Sequence, residues 1–322
     1  MKEFISHSRL TSYETLLSLK TDDQQLKAYY WNKCLCAALY PAIQTLEITL
    51  RNALNEGVKK HHTGEYADDD WWFEHIATAV QDKKINKMSA TKKQHWLKPD
   101  GSRRKKSYQE QQVKKTINDL RAQGRTPIKH DDVISRSMFG YWVSFISEDY
   151  QDVTEKRLLW PNLLPDIFPN YPYKHKLDKI AKRLKNIKEL RNRMSHHEPI
   201  WKFYTIETNN TLDYHQPIYG LNSSLSILLR QYDELLETIR WMSKARYDAF
   251  LKARLDVEFR KLCSKNGFYA FVSPDRVSPS MSLARAKEEI KEILQDSKKG
   301  IITRITEDGL TVALVGINQI DC

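Results

Sequence analysis

Five apolar residues spaced three or four positions apart predict a helix over residues 174–197. They are Leu177, Ile180, Leu184, Ile187 and Leu190. Because a helix turns once in about 3.6 residues, this spacing places all five on one face, which must be buried against other elements. Pro199 disfavours helical backbone at the residue before it, so the helix should end near residue 197. The stripe is therefore expected to form core.

The same periodicity recurs through most of the chain and indicates a mainly α fold. Neither a glycine-rich phosphate loop nor a sustained strand alternation precedes residue 260, and residues 201–222 are polar and rich in turn-forming residues. Further helices are predicted over residues 24–62, as one helix or a pair broken near Pro41, and over residues 75–93, 107–124, 130–150 and 223–263. We expect these helices to form one domain, a helical bundle over residues 1–263.

The last part of the chain has a different pattern. A helix is predicted over residues 282–295, and a hairpin over residues 301–317 with its turn at Asp308 and Gly309. Residues 264–322 should therefore form a small α+β appendage at the C-terminal end of the helical domain.

The formal net charge of +11 comes from one segment of the chain. Residues 82–129 hold 15 Lys or Arg against 4 Asp or Glu, and the rest is balanced. Cations interleaved with rings such as Trp96 and Tyr108 are typical of proteins that bind single-stranded nucleic acid. The RNA-binding candidates are Lys92, Lys93, Arg103, Arg104, Lys105, Lys106, Lys114 and Lys115. The alternative is a solvated helix-loop-helix insertion whose charges only keep the chain soluble.

An arginine, an amide and a histidine lie near the end of the helix predicted over residues 174–197. They are Arg191, Asn192 and His196. RNA is cleaved without a metal when a base takes the proton of the 2′-OH, a cation stabilises the phosphorane and an acid protonates the leaving oxygen. Histidine titrates near neutral pH and can exchange these protons, and arginine carries a permanent charge whose planar fork fits a phosphate. The three residues are therefore candidates for an RNA-cleaving site.

Helical spacing suggests how these residues are arranged. Asn192 and His196 are four apart and share a face, so the amide could hydrogen-bond the ring and fix its tautomer. Arg193 follows Glu189 by four residues and is expected in an ion pair on a solvated face. Arg191 and His196 lie about 140° apart around a helix, so one helix does not bring both to one phosphate. A homodimer that faces the motif with its twin, or an internal pseudo-repeat, would do so.

These residues resemble the motif of the HEPN ribonucleases, in which an Arg, usually followed by a polar residue, precedes a His after four to six intervening residues. Arg191, Asn192 and His196 fit this pattern. Together with the segments at residues 190–200, 46–53 and 139–142, they make the chain similar to the bacterial abortive-infection (Abi) branch, the AbiD and AbiF proteins. The resemblance covers roughly residues 9–260.

The resemblance implies a HEPN-type helical bundle that dimerises through its motif helices and cuts RNA without a metal ion, as a toxin restrained until phage infection. It also implies that Arg191 and His196 are the catalytic pair and that Asn192 orients them.

Three further residues are candidates for a supporting role. His197 also fits the family spacing and could replace His196, assist it or only cap the helix C-terminus. Arg51 lies four residues after Glu47, which favours an intrahelical ion pair. Alternatively, Arg51 could help to hold the phosphate while Glu47 orients it.

The leading hypothesis is an endoribonuclease of a toxin-like phage-defence system that cleaves single-stranded RNA by 2′-OH transesterification, with no cofactor and no metal ion. The alternative is a non-cleaving RNA-binding module that holds a structured small RNA through the basic segment. A bound small RNA that restrains the nuclease would combine the two. No apolar run approaches the ~18 residues of a membrane span, so a cytoplasmic protein without a membrane partner is expected.

Overall fold

Helices dominate the computed structural model, which describes residues 5–60, 66–155, 157–172, 176–206, 212–276, 281–298, 303–308 and 310–314. The helices are α1 His7–Leu17, α2 Asp22–Lys60, α3 Trp72–Asn86, α4 Ala90–Trp96, α5 Tyr108–Ala122, α6 His130–Arg136, α7 Phe139–Val143, α8 Leu164–Ile167, α9 Leu177–Ser195, α10 Leu221–Met242, α11 Lys244–Lys252, α12 Val257–Leu262, α13 Lys265–Val272, α14 Leu283–Glu288 and α15 Ile290–Lys298. The strands are β1 Tyr204–Ile206, β2 Leu212–Pro217, β3 Met281–Ser282, β4 Thr303–Glu307 and β5 Leu310–Leu314. The prediction of a mainly α fold with a small α+β C-terminal part is confirmed.

The first long helix, α2, continues through Pro41 as one helix. Its apolar face is fully buried, with Leu35, Leu39, Leu46 and Leu50 each 0% exposed. Proline removes one backbone hydrogen bond from a helix interior, and burial of this face on both sides of Pro41 offsets that loss. Of the two predictions for this segment, the single helix is therefore the correct one.

The helix predicted over residues 223–263 is three helices, α10, α11 and α12, so its predicted extent is wrong. The first break falls at Ser243 and the second after Lys252. Near the second break, Arg254 has a φ of 57°, in the left-handed region that helices cannot continue through. Buried residues continue across both breaks, with Phe250 and Phe259 in the core, which is why periodicity alone indicated one element.

The chain divides into two compact units that are not consecutive in sequence. Unit 1 comprises residues 1–44, 189–237 and 245–322, and unit 2 comprises residues 45–188 and 238–244. Helices α2, α9 and α10 each contribute residues to both units. The domain boundary between residues 263 and 264 stays a prediction.

Aromatic residues far apart in sequence form the core of unit 1. The rings of Tyr13 and Trp201 meet edge to face with centroids 5.1 Å apart, and those of Trp31 and Phe268 with centroids 5.0 Å apart. The Trp31 indole also donates to the Leu262 carbonyl at 2.9 Å. Helix α13, in the predicted appendage, therefore packs against α2.

A second aromatic cluster forms the core of unit 2. Trp72 and Phe73 of α3 meet Trp142 and Phe145, with centroids 5.5 Å apart for Trp72 and Phe145 and 6.2 Å apart for Phe73 and Trp142. All four side chains are buried. This core holds α3, whose last turn begins the basic segment.

The described strands form two small sheets. Strands β4 and β5 make the hairpin predicted over residues 301–317, and β3 adds to β4 in parallel. Gly309, in the predicted turn, lies outside the described residues. The helix predicted over residues 282–295 is two helices, α14 and α15, that meet at Glu289.

The β1–β2 hairpin was not predicted, because residues 201–222 were assigned to a connection. Its strands are antiparallel, with Ile206 opposite Leu212 and Thr205 opposite Asp213. Strand β1 has only three residues, too few for a period of two to stand out in the sequence.

Candidate active site

The motif helix α9 ends in a left-handed turn that fixes the backbone around both histidines. The His197 N–H donates to the Met194 carbonyl at 3.1 Å, and the Glu198 N–H donates to the Arg193 carbonyl at 2.9 Å. With a φ of 59° at His197, these bonds make a Schellman cap. Histidine is one of the few non-glycine residues enriched at such a φ. His197 therefore closes the helix through its backbone, and the role of its side chain stays a prediction.

Side chains from two other helices of unit 1 hold the chain after this turn. The Arg9 guanidinium, on α1, donates to the His197 carbonyl at 2.8 Å. Asn32, on α2, is 2% exposed; its Oδ1 accepts from the Ile200 N–H at 3.0 Å and its Nδ2 donates to the Glu198 carbonyl at 3.5 Å. Backbone groups from 197 to 200 are thus held from outside the motif helix.

Arg193 is a structural residue of this turn. Its guanidinium donates to the Pro199 carbonyl, lies 3.8 Å from the Glu198 carboxylate and sits over the Phe203 ring at 5.4 Å. The side chain is only 23% exposed, and burial lowers the pKa of the guanidinium below its ordinary value while the Glu198 charge opposes this shift. The predicted position of Arg193 on a solvated face is therefore wrong, because the chain after Pro199 covers it.

Arg191, Asn192 and His196 have different surroundings. Arg191 and Asn192 are half-buried and His196 is exposed. Within the described residues, none of the three side chains makes a hydrogen bond or an ion pair. The predicted bond between the Asn192 amide and the His196 ring is therefore absent there, and the two residues are joined through the backbone, the His196 N–H donating to the Asn192 carbonyl at 2.9 Å.

The two supporting candidates on α2 lie in unit 2. The Arg51 guanidinium donates through Nη1 to the Ser135 carbonyl at 2.9 Å. Glu47 lies one turn earlier on the same helix. Their role in holding a phosphate stays a prediction.

In the basic segment of unit 2, Arg103 has a structural role. Arg103 makes two hydrogen bonds of 2.7 Å to the Glu110 carboxylate and lies 3.2 Å from Asp82. Burial raises the pKa of the Glu110 carboxyl, but hydrogen bonds from Arg103 and Ser107 more than reverse this, so its pKa lies below the ordinary value. Glu110 also completes a capping box with Ser107 at the start of α5. Arg103 thus holds the loop between α4 and α5.

The other RNA-binding candidates are more accessible. Arg104 is exposed, although its Nε donates to the Gln94 and Leu97 carbonyls at 3.2 Å and 2.8 Å. Tyr108 is 48% exposed. Lys93 is half-buried, and the exposed lysines are Lys92, Lys105, Lys106, Lys114 and Lys115. Their binding of RNA stays a prediction.

The described part of the chain offers neither a cluster of metal ligands nor a membrane-spanning helix. It contains no group of three or more His, Cys, Asp or Glu side chains placed to hold a metal ion. No helix in this part has both the length and the apolar character needed to cross a membrane.

These features define a class of protein: a mainly helical chain with an Arg-Asn-x3-His motif at a capped helix end and a separate lysine-rich segment. A family model described as Abi-like protein matches residues 3–202, and the chain belongs to this family. The match includes the motif helix and the basic segment and ends before the β1–β2 hairpin. Comparisons with the curated proteins and with the solved structures gave no match.

Proposed function

We propose that this Abi-like protein is a metal-independent endoribonuclease that cleaves single-stranded RNA at a site built from Arg191, Asn192 and His196. His196 exchanges a proton with the 2′-OH or with the leaving 5′-oxygen, a contribution of about 10²- to 10⁴-fold in rate. Arg191 stabilises the charged phosphorane, and Asn192 orients the pair. The attack of the 2′-oxygen on phosphorus leaves a 2′,3′-cyclic phosphate and a free 5′-OH.

The observation that carries this proposal is the contrast between two neighbouring arginines. The Arg193 guanidinium donates to the Pro199 carbonyl, pairs with the Glu198 carboxylate and lies over the Phe203 ring. Arg191 has no such partner among the described residues, although it is half-buried. A cation that gives up part of its hydration without an internal partner is disfavoured unless a ligand supplies the opposite charge. This difference supports Arg191 as the residue that meets a phosphate.

The position of His196 also supports the proposal. Its backbone is held on one side by the helix and on the other by the cap that follows, while its ring is exposed. A fixed backbone restricts where the ring can lie, and restricting the geometry of a proton-exchanging group lowers the entropic cost of reaction.

A homodimer is part of the proposal. Because Arg191 and His196 lie about 140° apart around an ideal helix, one copy does not direct both side chains to one phosphate. In a two-fold dimer each motif meets its twin, so Arg191 of one copy and His196 of the other can share a phosphate.

Membership of the Abi-like family supports a role in abortive infection. On this proposal the protein is a cytoplasmic toxin of an antiviral defence system that is restrained until phage infection. A bound small RNA is the proposed restraint, with the basic segment as its contact.

The second candidate function is a non-cleaving RNA-binding module. It is favoured by the exposed lysines of the basic segment, since no described residue pairs with the ammonium groups of Lys92, Lys105, Lys106, Lys114 and Lys115. Unpaired lysines of this kind can neutralise phosphates without any catalytic residue. Cleavage distinguishes this module from the nuclease.

The test uses purified protein freed of nucleic acid and incubated with a labelled single-stranded RNA in EDTA. Wild type should cut, and His196→Ala and Arg191→Ala should each lose the activity while remaining folded. His7→Ala and Arg230→Ala, at exposed positions elsewhere in unit 1, should cut like wild type. Tight binding without cleavage by wild type would favour the RNA-binding module, and cleavage that needs added magnesium would contradict the metal-free mechanism.

A further inference from the structure

The β1–β2 hairpin presents large apolar side chains to solvent on one face. Ile206 and Leu212 are opposite each other in the ladder and so share a face, and they are 68% and 47% exposed. Tyr214 follows Leu212 by two residues and so lies on this face. The ladder is irregular between Tyr204 and Thr205, but the Tyr204 ring meets the Tyr214 ring at a centroid distance of 5.0 Å, which places Tyr204 on the same side. Tyr214 is 69% exposed. We call these four residues the hairpin face.

The root of the hairpin is fixed to the end of the motif helix, within unit 1. The Ile218 N–H donates to the Phe203 carbonyl at 2.9 Å. Phe203, 7% exposed, lies under the Arg193 guanidinium that also binds the Pro199 carbonyl. The hairpin face is therefore held beside the motif through Arg193.

A second cation belongs to this surface. The Lys202 ammonium lies 5.2 Å from the centre of the Tyr204 ring and 3.2 Å from the Ser12 hydroxyl. Tyr204 is half-buried, and its ring touches the exposed ring of Tyr214. This surface therefore provides both interactions that single-stranded nucleic acid uses, since cations neutralise the phosphates and the bases stack on aromatic rings.

We propose that the hairpin face is a stacking platform for bases of single-stranded RNA, with Tyr214 as the principal ring and Lys202 as a phosphate contact. This inference rests on the proposed function, because it assigns a substrate contact beside the proposed catalytic residues. Stacking is tolerant of sequence, since every base has a π-face. The platform would therefore position a strand next to the motif without selecting a particular base.

RNA is favoured over a second copy of the chain as the occupant of this face. A stable protein interface involves about 20–30 residues on each side, whereas the hairpin face consists of four. Two of those four are tyrosines in edge-to-face contact with a lysine beside them, and exposed aromatic side chains on strands are a recurring means of holding unpaired bases. The motif that would act on the strand lies at the root of the same hairpin.

The experiment measures binding of a short single-stranded RNA containing 2-aminopurine, in the His196→Ala background so that cleavage does not interfere. Tyr214→Leu removes the ring but keeps an apolar side chain, and it should weaken binding by roughly 5- to 150-fold, which corresponds to about 1–3 kcal/mol per stacked base. The quenching of 2-aminopurine fluorescence should be lost with it. Tyr214→Trp should retain both affinity and quenching.

Two controls make the result specific to stacking. Tyr40→Leu alters another tyrosine of unit 1, 49% exposed on α2, and should bind RNA unchanged. The salt dependence of Tyr214→Leu should keep the slope of its parent, because no phosphate contact is removed. In contrast, Lys202→Gln should reduce this slope, because it removes a phosphate contact.

Unchanged affinity and quenching in Tyr214→Leu would overturn the inference. The inference would also be overturned if Tyr214→Leu changed the molecular mass of the protein and left its RNA affinity unchanged, since that result assigns the face to a second copy. The inference and the proposed function can fail separately. Cleavage by wild type with no effect of Tyr214→Leu removes only the platform, and binding through Tyr214 without cleavage by wild type removes only the nuclease.

Discussion

Arg191 and Arg193 are two residues apart in the motif helix, and their surroundings separate their roles. Arg193 joins the helix end to Pro199 and to the root of the hairpin, whereas Arg191 has no partner among the described residues. Both arginines were visible in the sequence, and the resemblance pointed to Arg191. The contacts of Arg193 were not predictable, because they depend on a turn that folds the chain back over its side chain.

Replacing Arg191 should therefore affect cleavage, and replacing Arg193 should affect stability. Arg191→Gln should abolish cleavage and change stability by less than about 0.5 kcal/mol, because the substitution removes no hydrogen bond or ion pair within the described residues. Arg193→Gln should cost roughly 1–3 kcal/mol, because the Pro199 carbonyl loses a charged donor in a buried setting. Urea unfolding and an RNA cleavage assay on both variants check this. Equal loss of stability in the two variants would contradict the division of roles.

Asn32 is a functional candidate that the sequence did not reveal. It lies in the apolar stretch of α2, 168 residues before Ile200, whose N–H it binds. A polar residue at a buried helix position was the only signal, and it does not identify its partner. The Asn32 side chain helps to fix the turn that carries His196.

Asn32→Ala should destabilise the protein by about 1–3 kcal/mol, because it leaves the Ile200 N–H buried without an acceptor. Asn32→Asp keeps the acceptor but buries a charge and turns an oxygen toward the Glu198 carbonyl, so it should not recover the loss. The matched control, Asn52→Ala, changes an exposed residue of the same helix and should stay within about 0.5 kcal/mol of wild type. Denaturation of the three variants at neutral pH tests this. If Asn52→Ala and Asn32→Ala had the same effect, the hydrogen bonds of the Asn32 side chain would contribute nothing specific to stability.

At the scale of elements, periodicity predicted the helices but not where they end. The stripe of α9 is buried at every predicted position, from Leu177 to Leu190. The breaks at Ser243 and after Lys252 escaped prediction because buried residues continue across them. The β1–β2 hairpin was not predicted, because its apolar residues lie on the exposed face, which is the reverse of the pattern of a half-buried strand.

The loop between α4 and α5 depends on the pair of Arg103 and Glu110. Glu110 is 4% exposed, so Glu110→Gln should cost roughly 1–3 kcal/mol at neutral pH, because Arg103 keeps only the half-exposed Asp82 as a counter-charge. The pKa of Glu110 lies below its ordinary value. Its contribution is therefore present above the unfolded pKa of about 4.3 and is lost as the pH falls through the folded pKa. The difference between wild type and Glu110→Gln in urea unfolding should shrink on acidification below about pH 4; a constant difference would contradict the pair.

The exposed lysines of the same loop should contribute to RNA binding and not to stability. Lys105→Gln with Lys106→Gln should reduce the slope of log affinity against log salt by about 1.4, at about 0.7 per phosphate contact on a single strand. Lys287→Gln with Lys291→Gln, an equal charge change at exposed positions outside the basic segment, should leave the slope unchanged. If both double variants changed the slope equally, the basic segment would act only through the overall charge of the protein and not through its own phosphate contacts.

At the scale of the whole molecule, the composite site requires two copies. Arg191→Ala and His196→Ala should each be inactive alone, but mixing them with exchange of subunits should restore cleavage. About a quarter of the wild-type rate is expected, since half of the dimers are mixed and each of those has one complete site out of two. Cleavage rates and molecular mass of the mixture test this. No recovery from mixed dimers would contradict a site shared between copies.

The chemistry of the cleaved ends tests metal-free attack by the 2′-OH. Wild-type protein in EDTA would be given a single-stranded RNA, the same RNA with 2′-O-methyl groups, and a DNA of the same sequence. We expect cleavage of the unmodified RNA alone, giving 2′,3′-cyclic phosphate and 5′-OH ends, with no products from His196→Ala. Cleavage of the methylated RNA or of the DNA would contradict attack by the 2′-OH, and with it the assignment of His196 and Arg191.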